Sequence, residues 1–154
     1  MYNLSYVTNT ILKRARDEGI AVSPMKIQKL LYFLYKDFLQ KCNRAMFAER
    51  FEPWPYGPVI SEIYYAFRNY GDRPIKTYCM DAAGEMRYYE AISGSSIHDC
   101  LRRIWARYAH KTGIELSKIT HARESAWYKA ASQAMQYISD DDIKNEPWNL
   151  GMAS

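Results

Sequence analysis

Cysteine is scarce in this 154-residue chain. Cys42, Cys79 and Cys100 are odd in number, widely spaced and form no CxxC pair. That spacing suggests neither a zinc knuckle nor a redox dithiol, and free, mostly buried thiols in a reducing cytoplasm are the economical expectation. No hydrophobic run approaches the length of a membrane span. Met1, Tyr2, Asn3, Leu4 and Ser5 supply neither the basic start nor the apolar stretch of a leader, so the expected localisation is cytoplasmic, with no membrane partner. No sign of charge dominates: 21 Lys and Arg stand against 17 Asp and Glu, a net charge of +4, too mild to mark a nucleic-acid binder. Catalytic signatures are missing as well. There is no nucleophile elbow and no HExxH, so no catalytic residue, metal ligand or cofactor is assigned. His98 and Cys100, two apart, with Cys79 upstream, fit helix surface and core positions better than a metal site.

What the chain has in quantity is aromatic: 14 Tyr, 5 Phe and 4 Trp, within 48% hydrophobic and 25% charged residues. This length and balance suit one domain, residues 1–154, with a core that needs neither disulfide nor metal. Tyrosines in such number suit an interface, where the ring is buried and the hydroxyl stays wet, or the rim of a Tyr-rich core. No repeat or low-complexity linker divides the sequence.

The densest signal is Phe51-Glu52-Pro53-Trp54-Pro55-Tyr56-Gly57-Pro58. Three prolines and a glycine in eight residues leave the backbone few options, because each proline fixes φ and pushes the residue before it away from helix. Such a stiff turn, displaying Trp54 and Tyr56, is either a keystone of the fold or part of a recognition surface.

Around it the pattern is helical. Leu4, Val7, Ile11 and Ala15 predict a first helix over about residues 5–18, stopped by Gly19. Ser23-Pro24 is an N-cap followed by a first-turn proline. Ile27, Leu30, Leu31, Leu34 and Phe38 then make the stripe of a central helix, widened by Tyr32, Phe33 and Tyr35, with Lys26, Lys29 and Lys36 towards its polar side and Asn43 as its stop. Residues 45–54 read as a short strand or strand-like loop, and Pro58 as the start of a third helix carrying Val59, Ile63, Phe67 and Tyr70 to a stop at Gly71. Residues 74–92 read as a small hairpin or a long, partly extended loop turning at residues 81–84. Further helices are expected after Gly94-Ser95-Ser96 to near Thr112-Gly113, from Ile114 to about Lys118, from Ser125 to about Met135, and from the Ser139 cap with its three aspartates. Residues 145–154 read as a frayed end. The predicted class is mainly α: a compact single-domain helical bundle with a small β-hairpin or short strand element.

Four ordered blocks resemble the Panacea domain family, the SocA-like or GepA-like antitoxins, often phage-associated. They are the run from Pro24 through Lys26, Ile27, Gln28, Lys29 and Tyr32 to Phe33; the turn from Phe51 to Val59; Tyr70-Gly71 with Pro74-Ile75; and Leu116-Ser117, Thr120-His121 and Ser125-Ala126-Trp127. Four blocks in order are far more specific than one short motif. The chain departs from the family where Asn43 and Ala45 stand for a Gly and Pro after the second helix, and where Glu124 and Ala126 stand for a Gly and Pro before the distal tryptophan. The resemblance implies a non-enzymatic antitoxin of a type II toxin–antitoxin system, one that binds and blocks a toxin encoded beside it, translation-targeting toxins included. The alternatives are an adaptor delivering the toxin to a protease, or a nucleic-acid-binding regulator.

The candidate structural or toxin-contact residues are then Lys26, Gln28, Lys29, Tyr32, Phe51, Trp54, Tyr56, Gly57, Pro58, His121 and Trp127. For His121 the expected task is to hydrogen-bond the backbone of the 53–58 turn, since irregular buried backbone needs partners. Gly57 and Pro58 are read as fold determinants. Trp54 divides between core packing and contact, and Tyr56 leans to contact. Lys26, Lys29 and Lys36 with Arg102, Arg103 and Arg107 form either a solvated helix surface or one positive face, which would steer an acidic toxin or bind nucleic acid weakly.

Overall fold

A computed structural model describes residues 1–90, 92 and 94–150. The architecture is mainly α, with seven helices and one two-stranded sheet among the described residues: α1 (Leu4–Asp17), α2 (Pro24–Cys42), β1 (Glu52–Trp54), β2 (Gly57–Val59), α3 (Ser61–Phe67), a 3₁₀ turn (Arg68–Tyr70), α4 (Ser96–Tyr108), α5 (Gly113–Thr120), α6 (Ala126–Ser132) and α7 (Asp140–Asn145). Helix α2 is the axis. Ser23 Oγ accepts the Lys26 N–H at its start, Pro24 sets the first turn, and Asn43 ends it at φ 55°, the left-handed conformation that asparagine tolerates. Helices α1, α3, α4, α5 and α7 and strand β2 all pack on it.

That enclosure overturns the expected polar side of α2. Every residue from 26 to 39 is buried, and Lys26, Lys29 and Lys36 are 5%, 1% and 0% exposed. A helix covered on all sides has no solvated stripe, so the lysine stems fill core space and the amines must find oxygen inside the protein. Lys26 Nζ donates to Ala109 O at 2.6 Å, Lys29 Nζ to Pro58 O at 3.1 Å and Lys36 Nζ to Pro147 O at 2.9 Å. The single positive face of these lysines with Arg102, Arg103 and Arg107 is not formed.

Pro58 lies in β2 and does not open the third helix, which begins at Ser61. The cause is Gln28. Its Oε1 accepts the Ile60 N–H at 2.9 Å and its Nε2 donates to Ile60 O at 3.0 Å. This two-way pairing imitates a neighbouring strand and holds Ile60 extended, at φ −92° and ψ 117°. The sheet runs antiparallel, with Glu52 opposite Val59, Pro53 opposite Pro58 and Trp54 opposite Gly57.

Residues 74–90 form the extended loop rather than a hairpin ladder. No strand occurs there; the chain turns where Asp81 Oδ1 accepts the N–H groups of Ala83 and Glu85, each at 2.9 Å. Asn9 of α1 does the work of a partner strand, accepting from Cys79 N and donating to Cys79 O and Arg87 O. The expected frayed end is likewise corrected over residues 146–150. Glu146 and Leu150 are buried, Trp148 Nε1 donates to Gln40 Oε1 at 2.6 Å, and Arg107 donates to Trp148 O. Residues 151–154 of that expected end lie outside the described residues. Helix α6 stops at Ser132, three residues short of the expected Met135, and Ala134 follows at φ 51°.

Candidate functional site

The β1–β2 corner cannot hold itself. Two facing prolines donate nothing, and an isolated two-stranded hairpin is marginal in water. Its carbonyls are captured by side chains from three helices. Trp127 Nε1 of α6 donates to Trp54 O at 2.7 Å, and His121 Nε2 lies 2.7 Å from Pro55 O. Ser117 Oγ of α5 donates to Tyr56 O at 2.7 Å, Lys29 of α2 reaches Pro58 O, and Gln28 takes Ile60 O. Five of the seven carbonyls from Trp54 to Ile60 therefore each have a dedicated donor.

His121 is the hinge pin of the set. It follows α5, its ring packs against Trp127 with centroids 4.1 Å apart, and its Nδ1 lies 2.5 Å from Ser117 O. Both ring nitrogens face carbonyl oxygens, and the single N–H of a neutral imidazole serves one of them at a time. The contact expected from sequence between His121 and the turn backbone is thus present, at Pro55. Gly57 has φ 108°, and a Cβ there would lie 2.6 Å from Thr120 Oγ1 and 2.9 Å from Lys29 Cε; the turn closes onto α2 and α5 only because the side chain is absent. Lys29 beneath it has no carboxylate partner among the described residues, and burial pushes its amine down from the usual lysine range to about 7. Burial lowers Lys26 and Lys36 in the same direction.

Eight of the eleven sequence candidates meet here: Gln28, Lys29, Trp54, Tyr56, Gly57, Pro58, His121 and Trp127. Three do not. Lys26 ties α2 to the end of α4 through Ala109 O. Phe51 is core, edge-on to Tyr32 at 5.2 Å. Tyr32 donates to Glu146 Oε1 at 2.9 Å, and burial beside that carboxylate holds its hydroxyl well above the usual phenol range. Glu146 also accepts the Ala126 N–H at 2.9 Å and lies 2.7 Å from Lys36 Nζ, so it joins the chain's end to α2 and α6. Sequence reasoning missed Glu146, which carries no local signal. It also passed over Ser117 as a donor to the turn, although Ser117 and His121 share the i, i+4 spacing of one helix face.

At the tip, Tyr56 is 65% exposed while Trp54 is half-buried and edge-on to Tyr64 at 4.9 Å. Tyr65, beside it on α3, is also exposed. The arrangement displays aromatic surface on a backbone whose oxygens are already used.

A family model described as "Antitoxin SocA-like, Panacea domain" matches residues 27–128, which contain all of this corner. Among curated proteins the chain is similar to "Antitoxin SocA" of Caulobacter vibrioides (strain NA1000 / CB15N), 27% identical over 124 residues. That match covers 79% of this chain and 66% of the relative, just under two thirds of the relative's length. No solved structure matches.

Proposed function

The chain belongs to the antitoxin SocA-like, Panacea domain family, and from that premise we propose that it neutralises a toxin, the product of a neighbouring gene, by direct protein–protein binding, as in a type II system. The observation that carries the reading is the pinned corner. A turn whose carbonyls are held by Trp127, His121, Ser117, Lys29 and Gln28 presents Tyr56 with little backbone entropy left to lose, which is what a binding anchor needs. One standard interface of about 1,600 Å² suffices for a nanomolar complex. The reading takes residues 1–154 as one domain, supported by the packing of five helices and β2 on α2.

The proposal includes no chemistry by the chain itself. His121 has both nitrogens against carbonyls and Ser117 Oγ is spent on Tyr56 O, so neither is set up as base or nucleophile. Burial raises the Cys79 and Cys100 thiols to about 11 and 12, away from reactive thiolate. Burial of Lys26, Lys29 and Lys36, half of the six basic residues a positive face would need, weakens the nucleic-acid alternative. No helix among the described residues is long and apolar enough to cross a membrane.

The test is co-expression of the adjacent reading frame's product with and without this chain. Growth arrest relieved by the chain, with the two proteins co-purifying, is the expected result. Relief without a complex, or arrest that the chain leaves untouched, overturns direct neutralisation.

A further inference from the structure

Two hollows adjoin at Tyr56. The larger, about 470 Å³, lies between the start of α2 and α5 and is walled by Met25, Ile114, Lys118 and His121 together with Tyr56. The smaller, about 170 Å³, shares Met25 and Tyr56 and continues towards Trp54 and Tyr64, with Lys29 in its wall. The walls are largely apolar, yet Ile114 is 64% exposed, as open as Tyr56 itself. An exposed isoleucine beside an exposed tyrosine and a methionine is the composition of an adaptable contact surface.

The charge on these walls has one sign. Lys29 and Lys118 line them, and no aspartate or glutamate does. Neither lysine takes part in an ion pair among the described residues. Lys118 is exposed at the mouth. The two lysines are not equivalent: Lys29 is committed to Pro58 O below the turn, while the Lys118 amine is available to a visitor.

We infer that the double hollow docks a short segment of a partner protein that carries a large apolar side chain next to an aspartate or glutamate. The apolar group fills the space between Met25, Tyr56 and Ile114, and the carboxylate meets Lys118. A bare polyanion fits less well, because one exposed lysine on an apolar wall offers few phosphate contacts, whereas an apolar anchor with one rim charge is the usual grammar of protein interfaces. The inference deepens the proposed antitoxin function and rests on the reading that the chain binds a protein; it specifies where, and with what chemistry.

The experiment pans a random dodecapeptide phage library on the immobilised full chain, with the Ile114→Glu variant as counter-target. Ile114 is exposed, so the variant should fold, and matching thermal melts check that it does; Tyr56→Ala is the second variant. The expected outcome is a set of enriched peptides pairing Asp or Glu with a large apolar neighbour. As synthetic peptides they should bind the natural chain at least about tenfold more tightly than Ile114→Glu or Lys118→Glu, since the removal of one rim charge contact plus an added like charge costs on the order of a factor of ten. Replacing the peptide carboxylate by its amide should cost a similar factor. Failure to enrich any peptide over the counter-target, enriched peptides without an acid, or equal affinity of acid and amide overturns the inference. Rescue from the neighbouring product is scored separately. A chain that selects such peptides but does not rescue retains the site and loses the toxin reading; a chain that rescues but selects none loses the site alone.

Discussion

Two irregular connections leave this bundle, and they are fastened differently. Residues 52–60 and residues 74–90 each depend on one buried side-chain amide that pairs both ways with a backbone unit: Gln28 with Ile60, and Asn9 with Cys79. Beyond that the likeness ends. The first connection has four more carbonyls held from α2, α5 and the start of α6. The second is held mainly from one helix, α1, by Tyr6, Asn9, Thr10 and Arg16, with Val22 O accepting the Ile75 N–H and the Tyr70 hydroxyl meeting Thr77 near its start, and it leaves Met80, Met86 and Tyr88 exposed. The contrast teaches that exposure of an aromatic says little by itself. Tyr56 and Tyr88 are both open to solvent, but only Tyr56 stands on backbone anchored to several helices at once.

Glycine replacement should break the comparison most sharply. Gly57→Ala forces a side chain into Thr120 and Lys29 at φ 108°, whereas Gly84→Ala at φ 77° meets nothing within 4 Å. We expect about 3 kcal/mol lost at Gly57, from strain plus overpacking, against about 1 kcal/mol at Gly84 from strain alone. Urea denaturation of the two variants reads the difference, and equal losses would mean that the corner is no more tightly closed than the loop.

Asn9→Leu should follow, at roughly 2 kcal/mol, because it strands a buried N–H and C=O of Cys79. Its signature is local: amide exchange should quicken at Cys79 and Tyr89 while Ile60 keeps its protection. Acceleration spread evenly over both connections would contradict separate fastening.

A pH series tests the buried lysine under the corner. The folded pKa of Lys29, about 7, lies below its ordinary value of 10.5, so between these values the unfolded chain binds more protons. Stability should therefore rise with pH from about 7, by at most about 1.4 kcal/mol per unit; below 7 both states are protonated and the cost is constant. Lys26 and Lys36 act in the same direction. Above pH 9 the buried thiols oppose the trend, since they keep their protons to about 11 and 12 after unfolded cysteine has ionised. Lys29→Met should flatten the rise between pH 7 and 9, and an unchanged slope would show that the amine is not the source.

The smallest effect belongs to the tip. Tyr56→Ala, at an exposed position, should change folding stability by less than about 0.5 kcal/mol while weakening partner binding. A large stability loss in a thermal melt would instead make Tyr56 part of the keystone.

Much of this was legible along the chain. Ser23, Pro24 and Asn43 bounded α2, and the proline-rich run from Phe51 to Pro58 marked the corner. His121 was assigned to that turn from the need of irregular backbone for donors. What misled was Lys26, Lys29 and Lys36. Charge on alternating turns reads as a solvated face, because in one helix taken alone nothing tells how many neighbours will cover it. Pro58 misled in the same way: a first-turn proline and a strand proline share the same φ, and Gln28, thirty residues away, made the choice.

The sequence by itself set what depends on neighbours in the chain: caps, stops, the apolar stripe of α2 and the stiffness of the corner, since φ restriction and helix propensity act over a few residues. Only the tertiary structure decided which side chains besides His121 serve that corner, that three lysines lie inside, and that Glu146 ties the chain's end to α2. Those outcomes turn on how desolvated donors and charges are matched with oxygens brought from far along the chain, and that matching exists only once the helices have packed.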